Sequence, residues 1–124
     1  NFLSMGYAAI YAEALTLASK IGITPQTFDS VLRGSRMDCG FYQTFMQYVL
    51  ERDRNAHKFT LVNALKDVRY LESVANAAGM PNPVGNAVKN VFAAAVANGK
   101  GDDYVPMLSD FVAAQNGVSL ARNG

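Results

Sequence analysis

The stretch from Phe59 to Val68 carries the most concentrated chemistry in the chain. The ammonium group of Lys66 is followed directly by the carboxylate of Asp67, and the ring of Phe59 precedes both. If Phe59 lies at the mouth of a helix, its seven-residue separation from Lys66 is nearly two turns, or about 10 Å along the axis. An aromatic ring, an ammonium group and a carboxylate then face one space. Residue types alone favour the alternative, a solvent-exposed pair on an ordinary helix surface.

The residues after Thr60 form the longest clean helical pattern. Thr60 is a suitable cap, and Gly79 is a suitable end before Pro81. Apolar residues at helical spacing predict one buried stripe, made of Leu61, Leu65, Val68, Leu71, Ala75 and Ala78. A second set falls on another side of the same helix, namely Asn63, Lys66, Tyr70 and Ser73. Lys66 is therefore expected outside the core.

The whole chain has the pattern of an all-α protein with about six helices. Caps, prolines and glycines predict helices over about 1–20, 25–33, 41–52, 60–79, 83–98 and 104–114, and no alternating strand is evident. Residues 1–115 are then one helical domain, and residues 116–124 are a polar tail. Between the helices, Gly99–Asp103 is expected to turn the chain and cap a helix, because it lacks the context of a phosphate loop.

The first helix carries apolar residues almost all round. Such a helix requires burial on most sides, which in a small domain means neighbouring helices on one side and a partner subunit on another. We therefore expect a homodimer with this helix at the interface. In the second helix, Phe28, Val31 and Leu32 are expected to point inward.

Composition excludes several classes of protein. The chain has 124 residues and a net charge of +1, which suits one domain without an overall attraction to nucleic acid or membrane. With Cys39 the only cysteine and His57 the only histidine, no disulfide or Cys/His metal site is predicted, and a reducing cytoplasm is expected. The apolar run Phe2–Ala12 is too short to span a membrane. The charged segment 51–58, including His57, is expected to be a solvent-exposed connection.

Short motifs in order along nearly the whole chain carry a resemblance. They are Asn1, then Ala12-Glu13-Ala14-Leu15 with Leu17–Ile23, then Phe59 followed by Leu65-Lys66-Asp67-Val68, then Ala77-Ala78-Gly79-Met80-Pro81, then Gly99-Lys100-Gly101-Asp102-Asp103. Their joint order and spacing resemble the C-terminal domain of the β-hydroxyacid dehydrogenases. That family includes 3-hydroxyisobutyrate dehydrogenase, tartronate semialdehyde reductase and, more distantly, 6-phosphogluconate dehydrogenase.

The resemblance implies a two-domain enzyme. In this family an N-terminal Rossmann domain binds NAD or NADP, and a helical bundle with a long first helix closes the active site and mediates dimerisation. The family's catalytic lysine lies four residues before an asparagine, and Asn1 matches that asparagine. This chain is then expected to be a C-terminal fragment that lacks the Rossmann domain and the lysine, and to be inactive alone.

The resemblance also implies roles for single residues. Asn1 would bind the substrate carboxylate or hydroxyl and orient the catalytic lysine. Lys66 would reach the cofactor near the nicotinamide, with Asp67 holding that lysine or the helix start, and Phe59 would wall the cofactor and substrate pocket. No metal is implied. The segment Gly34–Gly40 departs from the family's serine-containing pattern, so the 3-hydroxyacid stays open, as does a carboxylate-binding or merely surface role for Arg36.

Two alternatives remain at the level of sequence. One is a non-catalytic helical module for dimerisation or protein binding, which the apolar first helix also fits. The other is the helical domain of an imine reductase, which shares the two-domain plan, although Lys66-Asp67 matches the hydroxyacid enzymes better.

Overall fold

A computed structural model describes residues 1–121, and residues 122–124 of the predicted tail lie outside this range. The described part contains six α-helices and no strand, apart from one isolated bridge between Thr60 and Tyr104. The helices are Phe2–Lys20 (α1), Pro25–Leu32 (α2), Gly40–Glu51 (α3), Leu61–Ala77 (α4), Pro83–Ala95 (α5) and Leu108–Gln115 (α6). The predicted all-α fold is therefore confirmed.

The helix ends follow local chemistry. The hydroxyl of Thr24 accepts from the backbone N–H of Thr27, and Pro25 opens α2 as its first residue. The sulfur of Cys39 caps α3 by accepting from the backbone N–H of Tyr42 at 3.5 Å. This role of Cys39 is not evident from the sequence, because cysteine is not a preferred capping residue.

The last two helices differ from their predicted bounds. α5 ends at Ala95 and is followed by a π-type turn over Val96–Lys100, in which Gly99 takes a left-handed φ of 83°. A 3₁₀ turn over Val105–Met107 then precedes α6. Pro106 favours this separate turn, since it supplies no N–H for an α-helical hydrogen bond.

α1 runs through the middle of the bundle. It packs most extensively against α6 and also against α2, α3, α4 and α5, while α4 and α5 form an antiparallel pair. The largest fully buried side chains belong to Met5, Leu15, Tyr42, Phe45, Met46, Leu61, Phe92, Leu108 and Leu120. Each such side chain contributes about 1.5–3 kcal/mol through burial, so this core stabilises the bundle.

The opposite face of α1 is apolar but uncovered in the single chain. Leu3, Ile10 and Leu17 are 72%, 64% and 63% exposed, and Tyr7 and Ile21 continue the same stripe. The expectation that α1 is buried on most sides is thus met on one side only within this chain.

In α2, the prediction that Val31 points inward is wrong. Val31 is 71% exposed, because the helix packs against the core through Phe28 and Leu32. No helix within residues 1–121 is long and apolar enough to cross a membrane.

Candidate active site

The first turn of α4 is held by the loop that precedes α6. The backbone N–H of Leu61 donates to the carbonyl of Asp103 at 2.8 Å, and that of Val62 donates to the carbonyl of Gly101 at 3.0 Å. The Thr60 hydroxyl accepts from the N–H of Asn63. The Gly99–Asp103 loop therefore turns the chain and caps a helix, as predicted. Because these donors are already used, the start of α4 is not itself an anion site.

Phe59 lies immediately before this helix. Helix α4 begins at Leu61 after its Thr60 cap, so Phe59 is outside it and helical rotation does not place Phe59 beside Lys66. The Phe59 carbonyl instead accepts from the N–H of Val105 at 2.8 Å, and its half-buried ring packs against the core. That Phe59 and Lys66 line one pocket stays a prediction.

Asn1 and Asp67 meet at the edge of the bundle. The Asn1 side-chain amide donates to a carboxylate oxygen of Asp67 at 2.5 Å. Asp67 is half-buried, whereas Lys66 beside it is exposed. Within residues 1–121 Lys66 forms no ion pair, so its exposed ammonium group also fits the alternative of a solvent-exposed residue on the helix surface. The structure therefore brings Asn1 and Asp67 together, and Lys66 is next to Asp67 in the chain.

A chain of ring contacts joins Phe59 to α3 through His57. The ring of His57 contacts the ring of Phe59 at a centroid distance of 6.4 Å and that of Phe41 at 5.6 Å, both nearly perpendicular. Phe41 in turn stacks with Tyr11 at 6.2 Å. His57 is half-buried, and burial lowers its pKa below the usual value. The prediction that His57 is a surface residue is wrong, because these rings cover it.

Sequence reasoning missed His57 because it lies in a charged segment. One signal was present: His57 and Phe59 are two residues apart in a stretch without helix, and alternate residues of an extended chain point the same way. The role of Arg52, in the same charged segment, was also not predicted. Its guanidinium donates to both carboxylate oxygens of Asp110 and lies over the ring of Tyr48. The segment is thus only partly the solvent-exposed connection that was expected.

The chemistry offered by this edge is binding and orientation. The exposed ammonium group of Lys66 and the Asn1 amide held by Asp67 suit contacts with an anionic ligand. No group of three or more metal-binding side chains occurs within residues 1–121. The six-helix bundle with these polar and aromatic clusters defines the class of the protein as an all-α domain.

Comparison with known families agrees with this class. A family model described as NAD-binding of NADP-dependent 3-hydroxyisobutyrate dehydrogenase matches residues 1–109. The chain belongs to this family. The match confirms the resemblance to the C-terminal domain of the β-hydroxyacid dehydrogenases, and it supports NAD or NADP as the cofactor of the family.

Two solved structures share the fold. One is 3-hydroxyisobutyrate dehydrogenase from Salmonella typhimurium, with a TM-score of 0.80 and 23% identity over 89% of this chain and 38% of that one. The other is Mycobacterium tuberculosis 3-hydroxyisobutyrate dehydrogenase with L-serine, with a TM-score of 0.76 and 20% identity over 90% of this chain and 40% of that one. The chain thus spans about two fifths of the length of these enzymes. Among curated proteins, none matches it.

Proposed function

We propose that this chain is the helical domain of an NAD(P)-dependent 3-hydroxyacid dehydrogenase. It would complete the nicotinamide and substrate pocket of a two-domain enzyme, mediate dimerisation, and be inactive without the Rossmann domain. Family membership supports the dehydrogenase context. The observation that supports the proposal is the hydrogen bond from Asn1 to Asp67, which orients the Asn1 side-chain amide against α4.

Asn1 is suited to bind the substrate. A side-chain amide has two N–H donors and a carbonyl acceptor, and the bond to Asp67 uses only one donor. The remaining donor and the carbonyl are free to contact a carboxylate or hydroxyl of the hydroxyacid. The general acid or base would be a lysine four residues before Asn1, which lies one turn away if α1 continues upstream. Asn1 would then orient both the substrate and this lysine.

Lys66 and Phe59 are suited to the cofactor. The exposed Lys66 ammonium has no ion pair within the described residues, so it is free to contact a phosphate or carboxylate group. The half-buried ring of Phe59 would form an apolar wall that excludes water from the reacting atoms. The bound nicotinamide supplies the hydride chemistry at its C4 atom. Asp67 would act through Asn1 and keep its amide in place.

The outer face of α1 is proposed as the homodimer interface. Its exposed apolar residues Leu3, Ile10 and Leu17 recur every seven residues, a spacing typical of a helix that pairs with another helix. Glu13 and Lys20 lie on one side of this stripe, and Lys20 already donates to the carbonyl of Asn116 within the chain. Beside Leu17, α1, α5 and α6 form an open groove of about 730 Å³ that offers room for partner side chains. A second copy of the chain fits this self-complementary surface.

A cytoplasmic location is also part of the proposal. Cys39 is the only cysteine and is free, which suits a reducing compartment. Cell fractionation with an antibody against the chain tests this, and recovery in a secreted fraction would contradict it.

The activity test compares the intact two-domain protein with the 124-residue chain. Each is supplied with NAD or NADP and a panel of 3-hydroxyacids, and NAD(P)H absorbance is followed. The proposal predicts turnover by the intact protein on at least one hydroxyacid, and none by the chain alone. A panel of cyclic imines with NADPH serves as the comparison, because turnover restricted to imines would support the imine reductase instead.

A further inference from the structure

The half-buried ring of Phe59 lies outside the helices and packs against the edge of the core. It belongs to the stretch between α3 and α4, which contains no helix, and its carbonyl accepts a hydrogen bond from the N–H of Val105. That bond fixes the carbonyl of Phe59 but not the rotation of its side chain. A ring that serves as a pocket wall needs lateral contacts that hold one orientation. The structure supplies such a contact at His57.

His57 connects Phe59 to the aromatic core. Its ring lies between Phe59 and Phe41, with interplanar angles of 84° and 87°. Both centroid separations fall within the range of about 4.5–7 Å in which perpendicular aromatic pairs attract. Phe41 is fixed in turn by the rings of Tyr11 and Phe45, at 6.2 and 6.3 Å. His57 therefore links the Phe59 ring to the aromatic side chains of α3.

The His57 ring has no polar side-chain partner within residues 1–121. It forms no ion pair and no side-chain hydrogen bond there, and the rings of Phe41 and Phe59 lie against it. Its neighbour Lys58 is exposed. The flat shape of the imidazole, rather than a proton or a charge, is what this position uses.

We infer that His57 is a positioning residue that fixes the orientation of the Phe59 ring and thereby sets the size of substrate that the pocket accepts. This inference rests on the proposed function, in which Phe59 walls the substrate pocket. His57 itself does not contact the substrate. Loss of the imidazole ring lets Phe59 rotate, which loosens discrimination between small and large hydroxyacids while the reacting groups stay in place.

The kinetic test uses four variants of the intact protein. His57→Ala removes the ring, His57→Phe restores a flat ring, His57→Leu is apolar without one, and Lys58→Ala is the matched neighbour control. We expect His57→Ala and His57→Leu to lower the ratio of kcat/KM for the preferred hydroxyacid to kcat/KM for a larger one about two- to tenfold, with kcat nearly unchanged. His57→Phe should restore this ratio, and Lys58→Ala should leave it unchanged. Equal kinetics of His57→Ala and the parent protein would overturn the inference.

A spectroscopic test separates this inference from the proposed function. Selective ¹³C labelling of phenylalanine rings in the intact protein reports the environment of Phe59, whose signals are assigned with Phe59→Leu. We expect these signals to shift in His57→Ala and to return towards their original positions in His57→Phe. Unmoved Phe59 signals in His57→Ala overturn the inference. By contrast, unchanged kinetics in Phe59→Ala contradict the proposed place of Phe59 in the pocket, whatever His57 does.

Discussion

The amide of Asn1 donates a hydrogen bond to the carboxylate of Asp67, although 66 positions separate them in the chain. The bond joins the first residue before α1 to the face of α4 beside Lys66. It fixes the Asn1 side chain, which has no capping bond within its own helix. An amide held in this way is ready to bind a ligand without losing further side-chain freedom.

Removing either partner of this bond should lower activity in the intact protein. We expect Asn1→Ala and Asp67→Ala each to lower kcat/KM about tenfold or more, since hydrogen bonds to charged groups contribute about 1.5–3 kcal/mol. The double variant should be little worse than the more affected single variant, because both changes break one bond. Asp102→Ala is the control, as Asp102 is an exposed carboxylate in a loop. Fully additive losses would show that the two residues act separately.

The Asp110–Arg52 pair should contribute measurably to stability. Arg52 donates to both carboxylate oxygens, at 2.8 and 3.0 Å, and the Asp110 carboxylate also accepts from the hydroxyl of Tyr48. We expect Asp110→Ala to lower the free energy of unfolding by about 1–3 kcal/mol, measured by urea denaturation.

Asp102→Ala is a control for that experiment. Asp102 is an exposed loop carboxylate that forms no ion pair within residues 1–121. An Asp110→Ala variant no less stable than Asp102→Ala would contradict a structural role for the Asp110 pair.

Stability should depend on pH through His57. Burial lowers the pKa of His57 in the folded chain below the value of about 6.5 expected when unfolded. Between these two values the unfolded chain binds more protons, so stability rises with pH. The folded state is therefore favoured above about pH 6.5 and loses stability as the pH falls towards the folded pKa of His57. Melting temperatures at pH 7.5 and 5.5 measure this effect.

His57→Phe isolates the histidine contribution. Its melting temperature should fall less between pH 7.5 and 5.5 than that of the parent chain, because the carboxylates that titrate are common to both. Identical decreases in the two proteins would mean that His57 does not carry this pH dependence.

The outer face of α1 should determine the oligomeric state. Ile10→Glu places a charge in the middle of the exposed stripe, and burying it in an interface is unfavourable. We expect light scattering to give the mass of two chains for the parent protein and one chain for Ile10→Glu. Val31→Glu, an equally exposed apolar position on α2, should leave the dimer intact. A parent protein with the mass of one chain would rule out the proposed interface.

Local signals in the sequence predict most of the helices. Thr24 with Pro25, and Thr60, mark helix starts through caps that the structure contains. The predicted stripe is buried or half-buried from Leu61 to Ala75, but the prediction is wrong at Ala78, which is exposed because α4 ends at Ala77. The bounds near Pro106 were less predictable, because a 3₁₀ turn and a first α-helical turn accept similar residues.

Contacts between distant segments were not predictable from residue patterns. Arg52 and His57 occur in a run of charged residues, and only the packing of α3 against later parts of the chain covers them. The bond between Asn1 and Asp67 likewise depends on how α1 crosses α4. Helical spacing also predicted a neighbour that the helix does not supply. It put Phe59 on the side of Lys66, but α4 begins at Leu61, after the Thr60 cap, so Phe59 lies outside the helix.

The most direct test of the central claim is the effect of Lys66→Ala on the intact protein. The KM for NAD(P)H and kcat/KM for the hydroxyacid are measured beside Arg69→Ala, which removes another exposed cation from the same helix. The proposal predicts a rise of about tenfold or more in the cofactor KM for Lys66→Ala and little change for Arg69→Ala. Equal kinetics in both variants and the parent protein would contradict it, and would leave Lys66 as an ordinary surface residue of α4.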